Sequence, residues 1–251
     1  MKKYLSCIVG ILVLLFVSAL GAYAEPNVLL LVNRDERFDK QINKVYLTVT
    51  YANIVIKNSE EYPALNQAIN TCHNRFSVEQ IEKILKHYAP DCLEGVKKNP
   101  DLKCSAEEKI VMCRADDSVV SFRSEWSEFY GSRPIKTSLS YNFDTKSGKK
   151  LKLADVTADY AKLTDLVTAG IKAEFAKREI PFNDDRKAQI KELLEGDRSG
   201  KKPVAWTIGN EGVNVHFDSS DFGAYIFGDF DIVILYDEHK DVLKGEYFEL
   251  Q

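Results

Sequence analysis

The chain has 251 residues, and its 34 lysines and arginines against 38 acidic residues give a formal net charge of −4. Nucleic-acid binding needs a basic face that neutralises phosphates, and the lysine-rich stretches here alternate with acidic residues. The composition therefore argues against nucleic acid as a partner and fits a cationic partner better.

The first 24 residues have the pattern of a cleavable signal peptide. Lys2 and Lys3 precede an apolar run that ends at Leu20, and small residues follow at Ala22 and Ala24, the positions that a signal peptidase reads. The run is shorter than the roughly 20 residues that a membrane-spanning helix needs. We therefore expect cleavage after Ala24 and a mature protein in the periplasm or outside the cell, without a stable membrane anchor.

Four cysteines lie close together in the predicted mature chain, at Cys72, Cys92, Cys104 and Cys113. An even number of cysteines in an exported protein predicts disulfide bonds, although the sequence alone does not choose the pairing. The favoured pairing joins Cys92 to Cys104 around Pro100 and joins the other two cysteines, which would tie a helix to a strand. A zinc site is the alternative, but the sequence has no C-x-x-C pair. We expect cross-links and no metal.

In chain order, the first predicted elements are strands at 27–33 and 44–58, followed by a helix. This helix is expected to bury one stripe of side chains at helical spacing: Leu65, Ile69, Cys72 and Phe76. A second helix is predicted from a capping box at Ser77 to a stop at Pro90. Residues 89–105 are then predicted to form a cross-linked loop.

Two strands with strict alternation follow, at 118–130 and 135–144. Their apolar side chains share one face and their polar side chains share the other, and a turn at Gly148 ends the second strand. Such alternation is typical of an antiparallel sheet that packs on one side and faces water on the other.

The last third of the chain predicts two helices and three strands. The first helix, at 158–178, is expected to bury Leu163, Val167, Ile171 and Phe175. A second helix at 183–195 is expected to end at Gly196, and a hairpin around Gly212 precedes a final strand at 230–236. The order of elements predicts an α+β fold, with antiparallel sheets packed by amphipathic helices and cross-linked by disulfides.

Two segments in the second half of the chain resemble one known domain family. The first match is carried by Tyr141, Asn142, Phe143, Asp144, Lys146, Gly148, Lys149, Leu151, Leu153 and Asp155. The second is carried by Gly212, Val213, Val215, Phe217, Phe222, Gly223, Ala224, Tyr225 and Gly228. Both resemble the RsiV-like domain family, which is named for a lysozyme-sensing anti-sigma factor and also occurs beside envelope polysaccharide deacetylases.

The resemblance implies an envelope-facing α+β domain over residues 131–251. Residues 44–90 resemble the smaller domain that often precedes it. We therefore divide the chain into a signal peptide (1–24), an N-terminal α+β region with the cysteine-bearing loop (25–130) and the RsiV-like domain (131–251).

Residues for catalysis are not arranged in a recognisable pattern. The sequence lacks G-x-S-x-G, H-E-x-x-H, S-x-x-K and a phosphate-binding glycine loop. The histidines are scattered and are expected to be surface or partly buried side chains rather than metal ligands: His73, His87, His216 and His239. These observations favour a protein that is not an enzyme and carries no cofactor.

An acidic cluster is the most conspicuous polar feature: Asp218, Asp221, Asp229 and Asp231. Carboxylates close in sequence can bind calcium, but their spacing does not match an EF-hand loop. We favour turn residues that cap the strands around Gly223 and Gly228. The same carboxylates could also receive a cationic partner.

Aromatic residues in the same segment provide a candidate binding surface. Phe222, Tyr225 and Phe227 lie in a glycine-bounded stretch, where a loop could display them beside Asp218 and Asp221. The sequence thus predicts an exported, non-enzymatic envelope binding protein, with a lysozyme-like protein or a cell-wall glycan as ligand. The alternative is an enzyme acting on envelope polysaccharide with two of these acids as general acid and base.

Overall fold

The computed structural model describes residues 31–42, 45–87, 89–129, 134–199, 204–222 and 228–248. The predicted signal peptide lies outside these ranges. Within them, no helix is both long enough and apolar enough to cross a membrane.

Two β-sheets and six α-helices make up the described part of the chain. The five-stranded sheet has the order β1 (Leu31–Ile42), β2 (Val45–Ile56), β3 (Cys104–Ala115), β4 (Val119–Phe129), β5 (Ile135–Asp144). The three-stranded sheet has the order β6 (Ala205–Ile208), β7 (Gly212–Phe217), β8 (Phe230–Leu235). The helices are α1 (Pro63–Ile69), α2 (Arg75–His87), α3 (Ala89–Lys98), α4 (Leu153–Val156), α5 (Tyr160–Lys177) and α6 (Asp184–Ser199). This architecture confirms the predicted α+β class.

The sheets are antiparallel as predicted, with one exception. All neighbouring strands are antiparallel except β2 and β3, which run parallel over four residue pairs from Leu47–Cys104 to Thr50–Glu107. Strands β4 and β5 pair along most of their length, so the five-stranded sheet crosses the division predicted at residue 130 and extends to Asp144. The change of sheet comes after β5.

Helix α5 packs as its sequence predicts. It buries Leu163, Val167, Ile171 and Phe175 against the three-stranded sheet. Helix α6 differs from the prediction, because it continues through Gly196 to Ser199. Gly196 is buried, and a glycine inside a helix is tolerated at a cost of about 1 kcal/mol.

A π-helical turn at Asn70–Asn74 joins α1 to α2 and changes which side chains are buried. The buried stripe advances in steps of four: Leu65, Ile69, His73, Ser77 and Ile81. The predicted positions of Cys72 and Phe76 are therefore each one residue early, because a π turn holds one more residue than an α turn. Ser77 lies inside the helix and does not cap it, so that prediction was also wrong.

The segment predicted as a cross-linked loop contains helix α3. Pro90 lies in its first turn, where a proline costs no hydrogen bond. The four cysteines of the predicted mature chain are free thiols in the structure, so the disulfides stay a prediction. Cys92 and Cys104 are nevertheless buried in one cluster, whereas Cys72 packs in another.

The turn after β5 needs a glycine at Gly148. Its φ of +66° lies in the left-handed region, and an added Cβ would overlap the backbone carbonyl of Ala64 at the start of α1. We expect Gly148→Ala to lower the free energy of unfolding by about 2 kcal/mol, measured by urea denaturation. Gly209→Ala is the matched control, since its Cβ would meet the nearest atom at 3.7 Å. Equal losses in the two variants would contradict this reading.

Candidate functional site

The polar face of β4 and β5 is covered by the three-stranded sheet at one end. Strand β6 forms the open edge of that sheet, and side chains satisfy its backbone: Ser121 Oγ accepts from Ile208 N (2.9 Å), Ser140 Oγ accepts from Trp206 N (3.0 Å), and Asn142 Nδ2 donates to Trp206 O (2.8 Å). The polar face of β4 and β5 was predicted to be exposed to water, and that prediction is wrong where β6 covers it. There the serine and asparagine side chains make the hydrogen bonds that a neighbouring strand would otherwise make with β6.

At the other end the two sheets separate and leave a cleft of about 300 Å³, here called the inter-sheet cleft. Its polar lining comes from β3, β4 and β5 on one side and from β7, β8 and the loop between them on the other. These residues are Glu107, Lys109, Arg123, Glu125, Ser127, Lys136, Thr137, Ser138, His216, Asp218, Asp229 and Asp231. Charged groups distant in sequence thus converge at the junction of the sheets.

His216 on β7 is the centre of this arrangement. Its Nδ1 lies 2.9 Å from Asp231 Oδ1 and its Nε2 lies 3.2 Å from Asp218 Oδ1. Because both nitrogens face carboxylate oxygens, both act as donors in the imidazolium form. Burial lowers the pKa of His216, but the hydrogen bonds to Asp218 and Asp231 outweigh it and raise that pKa to about 9. His216 is therefore a cation at neutral pH.

Asp218 is a buried structural anion. It is 4% exposed, and it accepts hydrogen bonds from Ser138 N (2.9 Å), Ser138 Oγ (2.7 Å) and His216. Burial raises its pKa, but the bonds from His216 and Ser138 outweigh burial and hold the pKa below the usual value. An ionised, fully bonded carboxylate is a poor general acid, so Asp218 does not suit the acid role considered from the sequence.

Arg123 on β4 connects the two sheets across the cleft. Its Nη1 donates to Asp231 Oδ1 (3.1 Å), and its Nη2 donates to Glu125 Oε1 (2.7 Å). The Asp231 side chain is 48% exposed although its partner His216 is buried. Its carboxylate can therefore also contact a ligand. Arg123 and Asp231 are 108 residues apart, and sequence reasoning did not single out Arg123.

The other two acids of the sequence cluster shape the loop between β7 and β8. Asp221 Oδ2 accepts from Asp218 N (2.8 Å), and Asp229 Oδ1 accepts from Ser219 N (3.0 Å). Both carboxylates therefore cap backbone N–H groups around the 3₁₀ turn Ser219–Phe222, as the turn interpretation predicts. Across the described ranges, no three or more His, Cys, Asp or Glu side chains are grouped so that they could hold a metal ion.

The predicted aromatic display is wrong for Phe222. This side chain is 1% exposed and packs against Phe175, Phe217 and Phe230, with ring centroids 5.2 to 5.6 Å apart. Phe222 is the last residue of the 3₁₀ turn, and the turn directs its side chain into the core. Tyr225 and Phe227 lie outside the described residues.

A second polar cluster, here called the Glu108 network, is buried under helix α2. Glu108 Oε1 accepts from Ser124 Oγ (2.5 Å) and lies 3.0 Å from His73 Nε2, and its Oε2 accepts from Ser77 Oγ (3.0 Å) and Ala52 N (3.1 Å). The side chains of Glu108 and His73 are both fully buried. Because these groups are buried, the network can stabilise the fold but is not open to a ligand.

Asn74 completes this network beside the π-helical turn. It pairs with the backbone of Ile54 like a neighbouring strand, because Oδ1 accepts from Ile54 N and Nδ2 donates to Ile54 O, both at 3.0 Å. The orientation of the amide is thereby fixed, so Asn74 Oδ1 also accepts from His73 Nδ1 at 2.9 Å. Sequence reasoning missed Glu108 because it lies in an ordinary run of strand residues.

Comparisons with known proteins show which solved structures have a similar fold. The chain matches no protein-family model and no curated protein. It resembles the crystal structure of a DUF3298 family member from Bacteroides fragilis NCTC 9343, with a TM-score of 0.56 and 16% identity over 86% of this chain and 93% of that one. It also resembles a DUF3298 family protein from Pseudomonas aeruginosa PAO1, with a TM-score of 0.57 and 12% identity over 89% of this chain and 98% of that one. DUF3298 proteins are RsiV C-terminal-like domains, so the fold agrees with the resemblance seen in the sequence.

Proposed function

We propose that this protein is exported to the cell envelope and is a non-enzymatic binding protein, whose ligand binds at the inter-sheet cleft. A lysozyme-like protein and a cell-wall glycan are the candidate ligands. The signal-peptide pattern and the RsiV-like resemblance support the location, and the cleft supports the binding role. A larger groove of about 570 Å³ lies between α5 and α6. It is a weaker candidate because only these two helices line it, whereas charged side chains from both sheets converge at the cleft.

The observation that carries the proposal is the pairing of the ionisable groups at the centre of the cleft. His216 is a cation between two carboxylates whose pKa values are lowered, Asp218 and Asp231. At neutral pH this histidine has no free nitrogen to accept a proton, and the two acids have no proton to give. Such a group positions charge rigidly, which suits recognition better than proton transfer.

The outer lining of the cleft indicates how a cationic protein would be recognised. Glu125 and Asp231 have partly exposed carboxylates that pair with the guanidinium of Arg123, and the exposed Glu107 lines the same cleft. Rim carboxylates of this kind attract a basic protein and set its orientation, while the buried pairs keep the rim in place.

We expect Glu107→Lys to weaken the binding of lysozyme about tenfold in isothermal titration calorimetry, equivalent to about 1.4 kcal/mol. Glu60→Lys is the matched control, since it makes the same charge change at an exposed residue outside the lining of the cleft. Equal weakening in both variants would indicate general attraction and contradict a site at the cleft.

Peptidoglycan fragments are titrated in parallel, so that binding of fragments without lysozyme assigns the glycan. Binding of neither contradicts both named ligands. Steady release of new reducing ends or of acetate from the glycan would contradict the non-enzymatic role and support the alternative of a polysaccharide-acting enzyme.

A further inference from the structure

Two of the four cysteines of the predicted mature chain occupy one buried cluster. Cys92 on α3 and Cys104 at the start of β3 are each 1% exposed, and they share this cluster with Val49, Ala106 and Trp126. Their two thiols are within hydrogen-bonding contact of each other. A disulfide requires this kind of approach of two side chains from separate elements.

The other two cysteines are separated by the five-stranded sheet. Cys72 packs beside Phe122 and Tyr141 on the face that α1 and α2 cover. Cys113 instead lines a depression with Thr207 of β6, which packs on the opposite face. Two thiols with a sheet between them cannot reach bonding distance, so the pairing of Cys72 with Cys113 favoured from the sequence was wrong.

We propose that Cys92 and Cys104 are a dithiol that oxidises to a single disulfide, and that Cys72 and Cys113 remain thiols. The oxidant is a disulfide, either small-molecule or on a thiol–disulfide oxidoreductase. The thiolate of one cysteine attacks it and releases one thiol, and the second cysteine then attacks the mixed disulfide and releases the other thiol. The protein loses two protons and two electrons, and the oxidant gains them as two thiols.

The burial of both cysteines determines the stage of folding at which the disulfide forms. Burial raises the pKa of the Cys104 thiol, and the hydrogen bond with Cys92 only partly opposes this. Because the reactive form is the thiolate and neither sulfur is open to solvent, the folded dithiol should react slowly. The disulfide therefore forms during folding, before α3 closes over the start of β3.

The cross-link would fasten α3 to the strand that leads into the cleft. Cys104 pairs with Leu47 at the start of the parallel β2–β3 contact, and Glu107 and Lys109 follow on β3 in the lining of the cleft. The proposal stands apart from ligand binding, because it concerns only the buried cluster.

The test refolds the denatured, reduced chain from Glu25 onward, which lacks Cys7, in a mixture of oxidised and reduced glutathione, so it is independent of export. Remaining thiols are alkylated in denaturant, and the unreduced protein is digested and mapped by mass spectrometry. We expect alkylated Cys72 and Cys113, and joined peptides carrying Cys92 and Cys104 with the mass of two hydrogens fewer.

Four variants distinguish the pairs. Cys92→Ser and Cys104→Ser should each expose the partner to alkylation, whereas Cys72→Ser and Cys113→Ser should keep the joined peptides. The map of the wild-type chain decides the case if a variant fails to fold. Alkylation of all four cysteines after oxidative refolding, or a cross-link between any other pair, overturns the proposal.

Discussion

Replacing Glu108 by glutamine is expected to lower the free energy of unfolding by about 3 kcal/mol, measured by urea denaturation at neutral pH. The carboxylate accepts from Ala52 N, Ser77 and Ser124 and faces a ring nitrogen of His73. An amide keeps the shape of the side chain but replaces one acceptor oxygen by a donor. In the place of Oε2 the amide nitrogen would face the donor Ala52 N, and in the place of Oε1 it would remove the carboxylate oxygen that the ring of His73 faces. The closed network leaves no water to compensate for either change.

Glu107→Gln is the matched control for this prediction. Glu107 is the preceding residue of β3, and it is exposed on the face that lines the cleft. The same chemical change there should alter the free energy of unfolding by less than about 0.5 kcal/mol. A loss for Glu108→Gln no larger than that of the control would mean that the network does not stabilise the fold.

Helix α5 and the hairpin of β6 and β7 could be predicted because their information is local. The spacing of Leu163, Val167, Ile171 and Phe175 defines a helical face whatever the helix packs against. The turn around Gly212 likewise joins two short apolar runs, and the structure pairs Ile208 with Val213 across it. Such patterns specify an element without reference to the rest of the chain.

The π-helical turn could not be predicted, because its cause lies elsewhere in the chain. Asn74 reaches the backbone of Ile54 and His73 reaches Glu108, and both contacts require the extra residue in the turn. The local sequence offered Cys72 and Phe76 as an equally regular apolar stripe. Tertiary hydrogen bonds therefore decided the register of α2 against the hydrophobic pattern.

The candidate site was found in part, since Asp218 and Asp231 belonged to the acidic cluster read from the sequence. Their partners were not found, because Arg123 comes from another sheet and His216 looked like one of several scattered histidines. Phe222 was misjudged for the opposite reason: glycine neighbours suggested exposure, although its ring completes the core around Phe175. Spacing along the chain does not show which residues meet across two sheets.

The Glu108 network and the cluster around Asp218 both supply a hydrogen-bond acceptor to a backbone N–H at the edge of strand pairing. Glu108 accepts from Ala52 N where β2 leaves β3, and Asp218 accepts from Ser138 N on β5, the last strand of its sheet. Each carboxylate thus satisfies a strand N–H that another strand does not, and a histidine supports each of them. The difference is access, because only the second pair opens onto a cleft. We infer that the closed cluster serves stability and that the open one also serves recognition.

The second large effect is a loss of stability in alkaline solution that depends on His216. Its folded pKa of about 9 lies above the ordinary histidine value of 6.5, so the folded protein binds more protons than the unfolded chain between these values. The stabilisation is complete below pH 6.5 and is lost as the pH rises through 9. With the side chain 7% exposed, the difference corresponds to about 3 kcal/mol.

Urea denaturation at intervals from pH 6 to about 9.5 measures this loss, and the upper limit avoids the ionisation of tyrosines. His216→Gln should be less stable than the wild type at pH 6 and should show a flatter profile, because it cannot release the proton. His239→Gln is the matched control and should keep the wild-type fall, since His239 does not line the cleft. The ring protons of His216 should titrate near pH 9 in NMR spectra of the folded protein. A midpoint near pH 6.5, or an equal fall in the His216→Gln variant, would show that Asp218 and Asp231 do not hold this histidine as a cation.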